Sequence, residues 1–243
     1  MIQESKRNKA KTEIKKEEKK KAPAKNTENK KEDNPEEGDD DGADAESQIN
    51  AKISSEILSL LSSTAWKEKK EGFTKLTEFC NANHDVVMSI QVPLIKYMKK
   101  ILKGWKESNL NVLKEAFPFF TSFLNCGCIT KKCAFHLITF YIEKIGDPKF
   151  NATCEEAVLK ITESTGPQFS TNRILKLADS IKAAPILKGI YGLLAHMIKE
   201  FSIKLFPVKA IIELCKPGLL GNPAIKAVST EVLKGLYAPN MSI

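Results

Sequence analysis

Five helix-start signals recur along the chain at nearly constant spacing, and this regularity limits the folds open to it. The separations between successive signals are 42, 40, 37 and 38 residues. A period near 40 residues is typical of arrays in which each repeat is one pair of antiparallel helices. The signals are Trp66, Ser108, Pro148, Pro185 and Pro223. The sequence therefore predicts an all-α solenoid of about five stacked helix pairs.

The intervening segments agree with helix pairs of the HEAT or armadillo type. Apolar residues such as Ile53, Ile57, Leu60 and Leu61 fall at helical spacing, and no segment shows sustained strand-like alternation. Pro93 predicts a kink or break in one helix. Short turns are expected within the pairs. The predicted pairs are 48–62 with 65–82, 86–103 with 108–124, 130–145 with 148–165, 168–181 with 185–201, and 207–219 with 223–237.

The first 46 residues have a composition that differs from the rest. Residues 1–31 carry 12 basic and 5 acidic side chains, residues 32–46 carry 9 acidic and no basic ones, and residues 47–243 carry a net charge of +10. The first 46 residues hold no aromatic side chain, so they cannot bury enough apolar surface to offset the entropy of ordering. We predict a disordered charged linker over 1–46 and a HEAT-type domain over 47–243.

No stretch has the sequence features of a membrane span or a signal peptide, so an intracellular protein without a membrane partner is expected. Catalytic motifs are also missing, and we expect no enzyme activity and no cofactor. One run, "CGCITKKCAFH", contains Cys126, Cys128, Cys133 and His136. Its spacing matches no common structural zinc pattern, which favours core and loop thiols over a metal site.

Lysine recurs at the turn inside every predicted helix pair. Because these turns line up along one edge of a helix-pair solenoid, they predict a continuous basic strip with a tryptophan at one end. Such a strip suits an acidic partner. The residues singled out are Trp66, Lys67 and Lys70; Lys106, Asn109 and Val112; Lys149; Lys182 and Lys188; and Asn222 and Lys226.

The residue pattern leaves several alternatives open. Each lysine is also compatible with ordinary solvation at a helix start, and Trp66 falls where it would either cap the core or be displayed. The partner is an acidic protein or, less favoured, non-specific nucleic acid. Sequence-specific nucleic-acid recognition is disfavoured because the chain has only two arginines, Arg7 and Arg173.

Five segments resemble TOG domains, the tubulin-binding HEAT arrays of chTOG-type microtubule polymerases. The resemblance runs in order from about residue 50 to 238 and is closest to the third TOG domain of animal polymerases. Lys69 and Lys226 stand where the family usually has arginine, and the family's sixth repeat is not matched. The segments are "WKEKKEGFTKLTEF", "GWKESNLNV", "YIEKIGDPKFNATCEEA", "IKEFSIKLFPVKAII" and "GNPAIKAVSTEVLKGLY".

The resemblance implies that the turn edge binds αβ-tubulin, with the N-terminal repeats facing β-tubulin and the C-terminal ones α-tubulin. It implies an inserted aromatic role for Trp66 and basic contacts for Lys67, Lys149 and Lys226. Asn109 and Val112 would contact the partner from the second turn. A role in microtubule dynamics at the cytoskeleton, spindle and centrosome is then expected, with the basic N-terminal segment holding the microtubule lattice.

Overall fold

The computed structural model describes residues 42–237, with side chains from Ala45 onward. Over this range the backbone forms twelve α-helices and one short 3₁₀ segment, Ile203–Leu205, and it contains no β-strand. The helices are α1 Gly42–Asn50, α2 Ser55–Ser62, α3 Trp66–Ala82, α4 His84–Ser89, α5 Gln91–Ile101, α6 Leu110–Asn125, α7 Lys131–Lys144, α8 Asn151–Thr165, α9 Pro167–Ala178, α10 Ala184–Glu200, α11 Val208–Leu219 and α12 Pro223–Tyr237. The predicted all-α class is confirmed.

The helices form two layers. One layer contains α2, α5, α7, α9 and α11, and the other contains α3, α6, α8, α10 and α12. In the second layer each helix packs on the next, so α3 contacts α6, α6 contacts α8, α8 contacts α10 and α10 contacts α12. This arrangement is the stacking of five helix pairs that the 40-residue period predicts.

Several helices begin at side chains that cap the free N–H groups of the first turn. Ser54 Oγ accepts a hydrogen bond from Ile57 N–H, and Thr130 Oγ1 accepts one from Cys133 N–H. Asn222 Oδ1 accepts a bond of 3.0 Å from Ile225 N–H, and Pro223 occupies the first position of α12. Proline is tolerated there because its missing N–H would have no helical partner.

The predicted helix boundaries need correction at the N-terminal end. The segment predicted as one helix, 48–62, is two helices, α1 and α2, separated by residues 51–54. Helix α1 starts at Gly42, inside the segment assigned to the linker, and its buried Ile49 packs into the core. Linker residues 1–41 lie outside the described residues.

Two further differences concern the second and third pairs. The expected break near Pro93 is found at Ile90, so that Pro93 lies in the first turn of α5, where it costs no hydrogen bond. Helix α8 begins at Asn151 rather than at Pro148, because residues 147–150 form a separate turn. The turn between α5 and α6 spans residues 102–109 and is longer than the short turn predicted.

The centre of the core is aromatic. Phe117 stacks on Phe150 with ring centroids 4.3 Å apart, and Phe120 lies 4.5 Å from Phe140. These rings come from α6, α7 and the turn before α8, so they connect the second and third pairs. Large buried aromatic rings supply much of the apolar area that a helical array needs to stay stacked.

Candidate functional site

The connections inside the five pairs define one edge of the helical array, here called the turn edge. It includes each connection and the first turns of the following helix. Its residues are 63–70, 102–112, 145–152, 179–188 and 220–226. Eight lysines in these ranges are exposed, compared with two exposed carboxylates, Glu68 and Asp179. The turn edge is therefore strongly basic.

Contacts between successive turns show that they lie side by side. The Lys144 ammonium, at the end of α7, donates a 2.7 Å hydrogen bond to the carbonyl oxygen of Glu107 in the second turn. Gly146 in the third turn lies so close to the fourth that a Cβ atom on it would lie 2.9 Å from the backbone nitrogen of Ile186. Helix α10 then packs along α12, which carries the fifth turn.

Trp66 is the first residue of α3 and is 41% exposed. The chain enters this helix through Ser63, whose hydroxyl accepts a 3.0 Å bond from Ala65 N–H. The Lys67 ammonium lies 5.9 Å from the centroid of the Trp66 ring, within the range of a cation–π contact. The structure thus places an exposed aromatic ring beside a cation, which removes the ambiguity that the helical pattern left for Trp66.

The lysines that follow Trp66 differ in their surroundings. The Lys70 ammonium forms an ion pair of 3.3 Å with Glu115 on α6. Lys69 is half-buried, and its ammonium donates to the carbonyl oxygen of Ile101 at the C-terminus of α5, at 3.4 Å. Cations are favoured at that end of a helix dipole. Lys69 therefore connects two helices, and Lys67 is the more available of the predicted charges here.

The second turn is built around a buried tryptophan. Lys103, Gly104 and Trp105 have φ values of +56°, +68° and +76°. The N–H groups of Lys103 and Gly104 bond to the carbonyls of Lys100 and Lys99, which closes α5 in a Schellman motif. The consecutive left-handed residues direct the side chain of Trp105 into the core, where it is 1% exposed and lies 5.2 Å from the ring of Phe140.

Glu107 fixes the same turn from the other side. One oxygen of its buried carboxylate accepts bonds of 2.9 Å from both Ser108 and Asn109 N–H, and the other pairs with the Lys103 ammonium at 3.0 Å. Burial raises the pKa of the Glu107 carboxyl, but the hydrogen bonds and the lysine charge outweigh it and lower that pKa below its ordinary value. The carboxylate therefore stays charged and holds the turn in one conformation.

Two predicted contact residues of the second turn have different positions. Asn109 caps α6 and accepts a 2.9 Å bond from Asn111 N–H while remaining half-exposed. Val112 is only 1% exposed and belongs to the core. Its side chain lies on the same buried stripe of α6 as Leu113 and Ala116, so the structure gives Val112 a packing role and leaves little of it accessible to a partner.

The remaining predicted residues lie exposed along the turn edge. Lys149 follows Asp147, whose carboxylate accepts a 2.9 Å bond from Lys149 N–H. Lys182 lies in the connection before α10, and Asn222 and Lys226 flank the start of α12. Lys106 and Lys188 are exposed as well. Ten of the eleven predicted residues are thus exposed or half-exposed on the turn edge, and Val112 is the exception because it is buried.

Sequence reasoning missed two apolar members of this edge. Leu110, the first residue of α6, is 38% exposed, and Leu220, in the fifth turn, is 90% exposed. Leu110 stands three and seven residues before the buried Leu113 and Phe117, so its spacing is that of a core residue. Leu220 directly precedes the turn residues Gly221, Asn222 and Pro223. A position next to such a turn, outside the apolar stripes of the two helices, is the sequence feature that indicates its exposure.

Most of the cysteines are buried. All six are free thiols, and Cys80, Cys133, Cys154 and Cys215 are buried. Burial raises the pKa of Cys80 to about 12 and that of Cys133 well above its ordinary value. Across residues 45–237, no group of three or more His, Cys, Asp or Glu side chains is placed to hold a metal ion.

Comparison with solved structures identifies the fold. The chain superposes on the third TOG domain of Mini spindles from Drosophila melanogaster with a TM-score of 0.64, at 22% identity, covering 76% of this chain and 81% of that one. A TOG domain of Zyg9 from C. elegans gives a TM-score of 0.68 at 14% identity, covering 80% and 75%. The chain has the fold of a TOG domain.

A third solved structure gives a TM-score of 0.70 for this TOG fold at 12% identity, with 79% and 80% coverage. For that protein, TOG–tubulin binding specificity is said to promote microtubule dynamics and mitotic spindle formation. The sequence-based resemblance to TOG domains is thus confirmed for the fold, and the HEAT-type stacking agrees with it.

The amino-acid sequence is also similar to parts of two longer proteins. Protein MOR1 of Arabidopsis thaliana is 26% identical over 180 residues, and Protein MOR1 of Oryza sativa subsp. japonica is 24% identical over 181 residues. These matches cover 73% and 74% of this chain and about 9% of each relative. No family model matches the sequence. No helix between Gly42 and Tyr237 combines the length and hydropathy needed to cross a membrane.

Proposed function

We propose that this chain binds the αβ-tubulin heterodimer along the turn edge and regulates microtubule dynamics without catalysing a reaction. The observation that carries the proposal is the placement of exposed Trp66 and eight exposed lysines on one edge of a TOG fold. Tubulin is an acidic protein, so a basic edge would steer its approach, and an aromatic anchor would add apolar burial.

The chemistry of the edge favours a protein partner over nucleic acid. Its charge comes from lysine alone, since Arg173 lies on α9 away from the turns. Lysine lacks the planar fork that reads phosphates and bases in two hydrogen bonds. The edge also has no row of aromatic rings at regular intervals, which single-stranded nucleic acid uses for stacking.

The finer parts of the proposal follow from the family resemblance. The first turns, with Trp66 and Lys67, would face β-tubulin, and the fifth, with Asn222 and Lys226, would face α-tubulin. The basic residues of 1–31 would add contacts to the microtubule lattice. The protein would then act at the cytoskeleton, including the spindle and centrosome.

Gel filtration and sedimentation velocity with unpolymerised tubulin test the proposal. We expect a complex at low salt that weakens as salt screens the lysine contacts. A variant with Lys67, Lys149 and Lys226 changed to glutamate should lose the complex. The matched control changes three exposed lysines that lie off the turn edge, Lys132, Lys209 and Lys234, by the same charge.

The outcomes separate the proposal from its rivals. A folded chain that forms no complex with tubulin at low salt contradicts it. Equal losses in the two triple variants would show that net charge, rather than the turn edge, drives binding. Binding to DNA of any sequence without binding to tubulin would instead support a non-specific nucleic-acid protein.

A further inference from the structure

Leu220 is a large apolar side chain left almost entirely in solvent. It is 90% exposed and lies in the connection between α11 and α12, at the C-terminal end of the turn edge. Exposed leucines are common singly, so exposure alone assigns no role. The position is informative because the opposite end of the same edge carries exposed Trp66, and Leu110 in the second turn is exposed as well.

The backbone around Leu220 is fixed by hydrogen bonds. Its N–H donates to the carbonyl of Pro217 at 3.1 Å, and Gly221 N–H donates to Gly218 at the same distance. Asn222 then caps α12 through Ile225 N–H. A Cβ atom on Gly221 would lie 3.2 Å from the Gly218 carbonyl oxygen, so the turn is tightly built. Leu220 is thus held in place by a structured turn.

We infer that Leu220 is a second apolar anchor for the protein that binds the turn edge, at the end opposite Trp66. This inference rests on the proposed function. A fixed turn loses little conformational freedom on binding, so burial of the leucine contributes to affinity with a small ordering cost. Side chains that fill well-packed, desolvated pockets carry most of the binding free energy of an interface.

The third and fourth turns lack a large exposed apolar side chain of this kind. In the third turn Phe150 is buried, and in the fourth Ile181 and Ile186 are half-buried against the core. Their exposed charged groups are Lys149, Lys182 and Lys188, with Asp179 as the one exposed carboxylate, and their exposed apolar residues are small ones such as Ala183 and Pro185. The edge therefore fits a partner with apolar contact sites opposite the first, second and fifth turns and acidic groups opposite the third and fourth.

Leu220 is assigned to the same partner as the lysines, tubulin, because it is continuous with the basic turn edge. Leu220 is two residues from Asn222 and six from Lys226, both exposed on the same edge. The other strongly exposed leucine, Leu205, is 51% exposed and lies in the connection between α10 and α11, at the opposite edge. Leu205 therefore provides a matched control for the general effect of removing an exposed leucine.

The test measures tubulin affinity of the whole chain and of Leu220→Ala, Leu205→Ala and Trp66→Ala at low and high salt. Leu220→Ala should weaken binding about five- to thirty-fold, the range that burial of the lost side-chain carbons predicts. The factor should be the same at both salt concentrations, because apolar burial is not screened. Leu205→Ala should bind like the unchanged chain.

Each result decides between the claims. If the unchanged chain binds tubulin and Trp66→Ala weakens binding while Leu220→Ala does not, the anchor inference is overturned and the proposed function stands. If the unchanged chain does not bind, the proposed function fails. A marked drop in melting temperature for Leu220→Ala would also overturn the inference, because it would make Leu220 a packing residue.

Discussion

The two tryptophans of this protein occupy adjacent turns of the same edge and have opposite environments. Trp66 begins α3 after a short connection and is 41% exposed. Trp105 lies in the next connection along this edge, the long second one, and is 1% exposed. The residue type is the same in both turns, and the difference lies in the backbone: Trp105 has a φ of +76°, whereas Trp66 is the first residue of a regular helix. The backbone conformation of each turn therefore decides which ring is exposed.

The second turn reverses the direction of its tryptophan through three successive residues with positive φ. Left-handed conformations cost about 1–2 kcal/mol for a residue with a side chain. Burial of the Trp105 ring among Phe120 and Phe140 offsets that cost. The first turn has no comparable loop, so Trp66 stays at the surface. Whether a tryptophan of this edge is exposed or buried therefore depends on the backbone conformation of its own turn.

The largest effect that this comparison predicts is on stability. Trp105→Ala should lower the free energy of unfolding by about 3–5 kcal/mol, because it leaves a cavity beneath the second turn. Urea denaturation followed by circular dichroism measures the loss. Trp105→Phe should lose less, since it keeps an aromatic ring against Phe140. An Ala variant as stable as the unchanged chain would show that the ring does not support the turn.

The corresponding change at the first turn should affect binding instead. Trp66→Ala should weaken tubulin binding about ten- to one-hundred-fold while the free energy of unfolding changes by less than about 0.5 kcal/mol. Titration of the variant against unpolymerised tubulin, with a melting curve on the same preparation, measures both quantities. A large loss of thermal stability at unchanged affinity would make Trp66 a core residue.

The sequence predicted the pairs and their order because turn signals and apolar spacing are local. Pro223 marks the true start of α12, and Trp66 that of α3. It did not predict which apolar residues of the edge are exposed and which are buried. The helical pattern left Trp66 undecided and suggested contact for Val112, which the stacking of α6 buries. Exposure depends on the neighbouring pair and on turn conformation, and neither is encoded within one helix.

A smaller effect concerns the carboxylate that holds the second turn. Glu107→Gln should lower the free energy of unfolding by about 1–2 kcal/mol at pH 7, because the bonds from Ser108 and Asn109 N–H lose their charged acceptor. Urea denaturation measures this, with Glu68→Gln at the exposed first turn as the control. The control should change stability by less than about 0.5 kcal/mol.

The pH dependence of the same variant has a definite sign. The pKa of Glu107 is lower in the folded chain than its ordinary value of about 4.3, so the unfolded chain binds the proton more readily. The stabilisation is therefore complete above about pH 4.3 and is lost as the pH falls through the folded-state pKa. The difference between the unchanged chain and Glu107→Gln should shrink in that acidic range. A constant difference would contradict this role.

The smallest effect tests the loop backbone itself. Gly104 has a φ of +68°, and a Cβ atom there would meet nothing within 4 Å, so Gly104→Ala changes conformational preference without a clash. It should cost about 1 kcal/mol, and Gly104→Asn should cost less, because asparagine adopts positive φ more readily. Urea denaturation ranks the three chains. If alanine and asparagine were equally neutral, the left-handed loop would not be what directs Trp105 into the core.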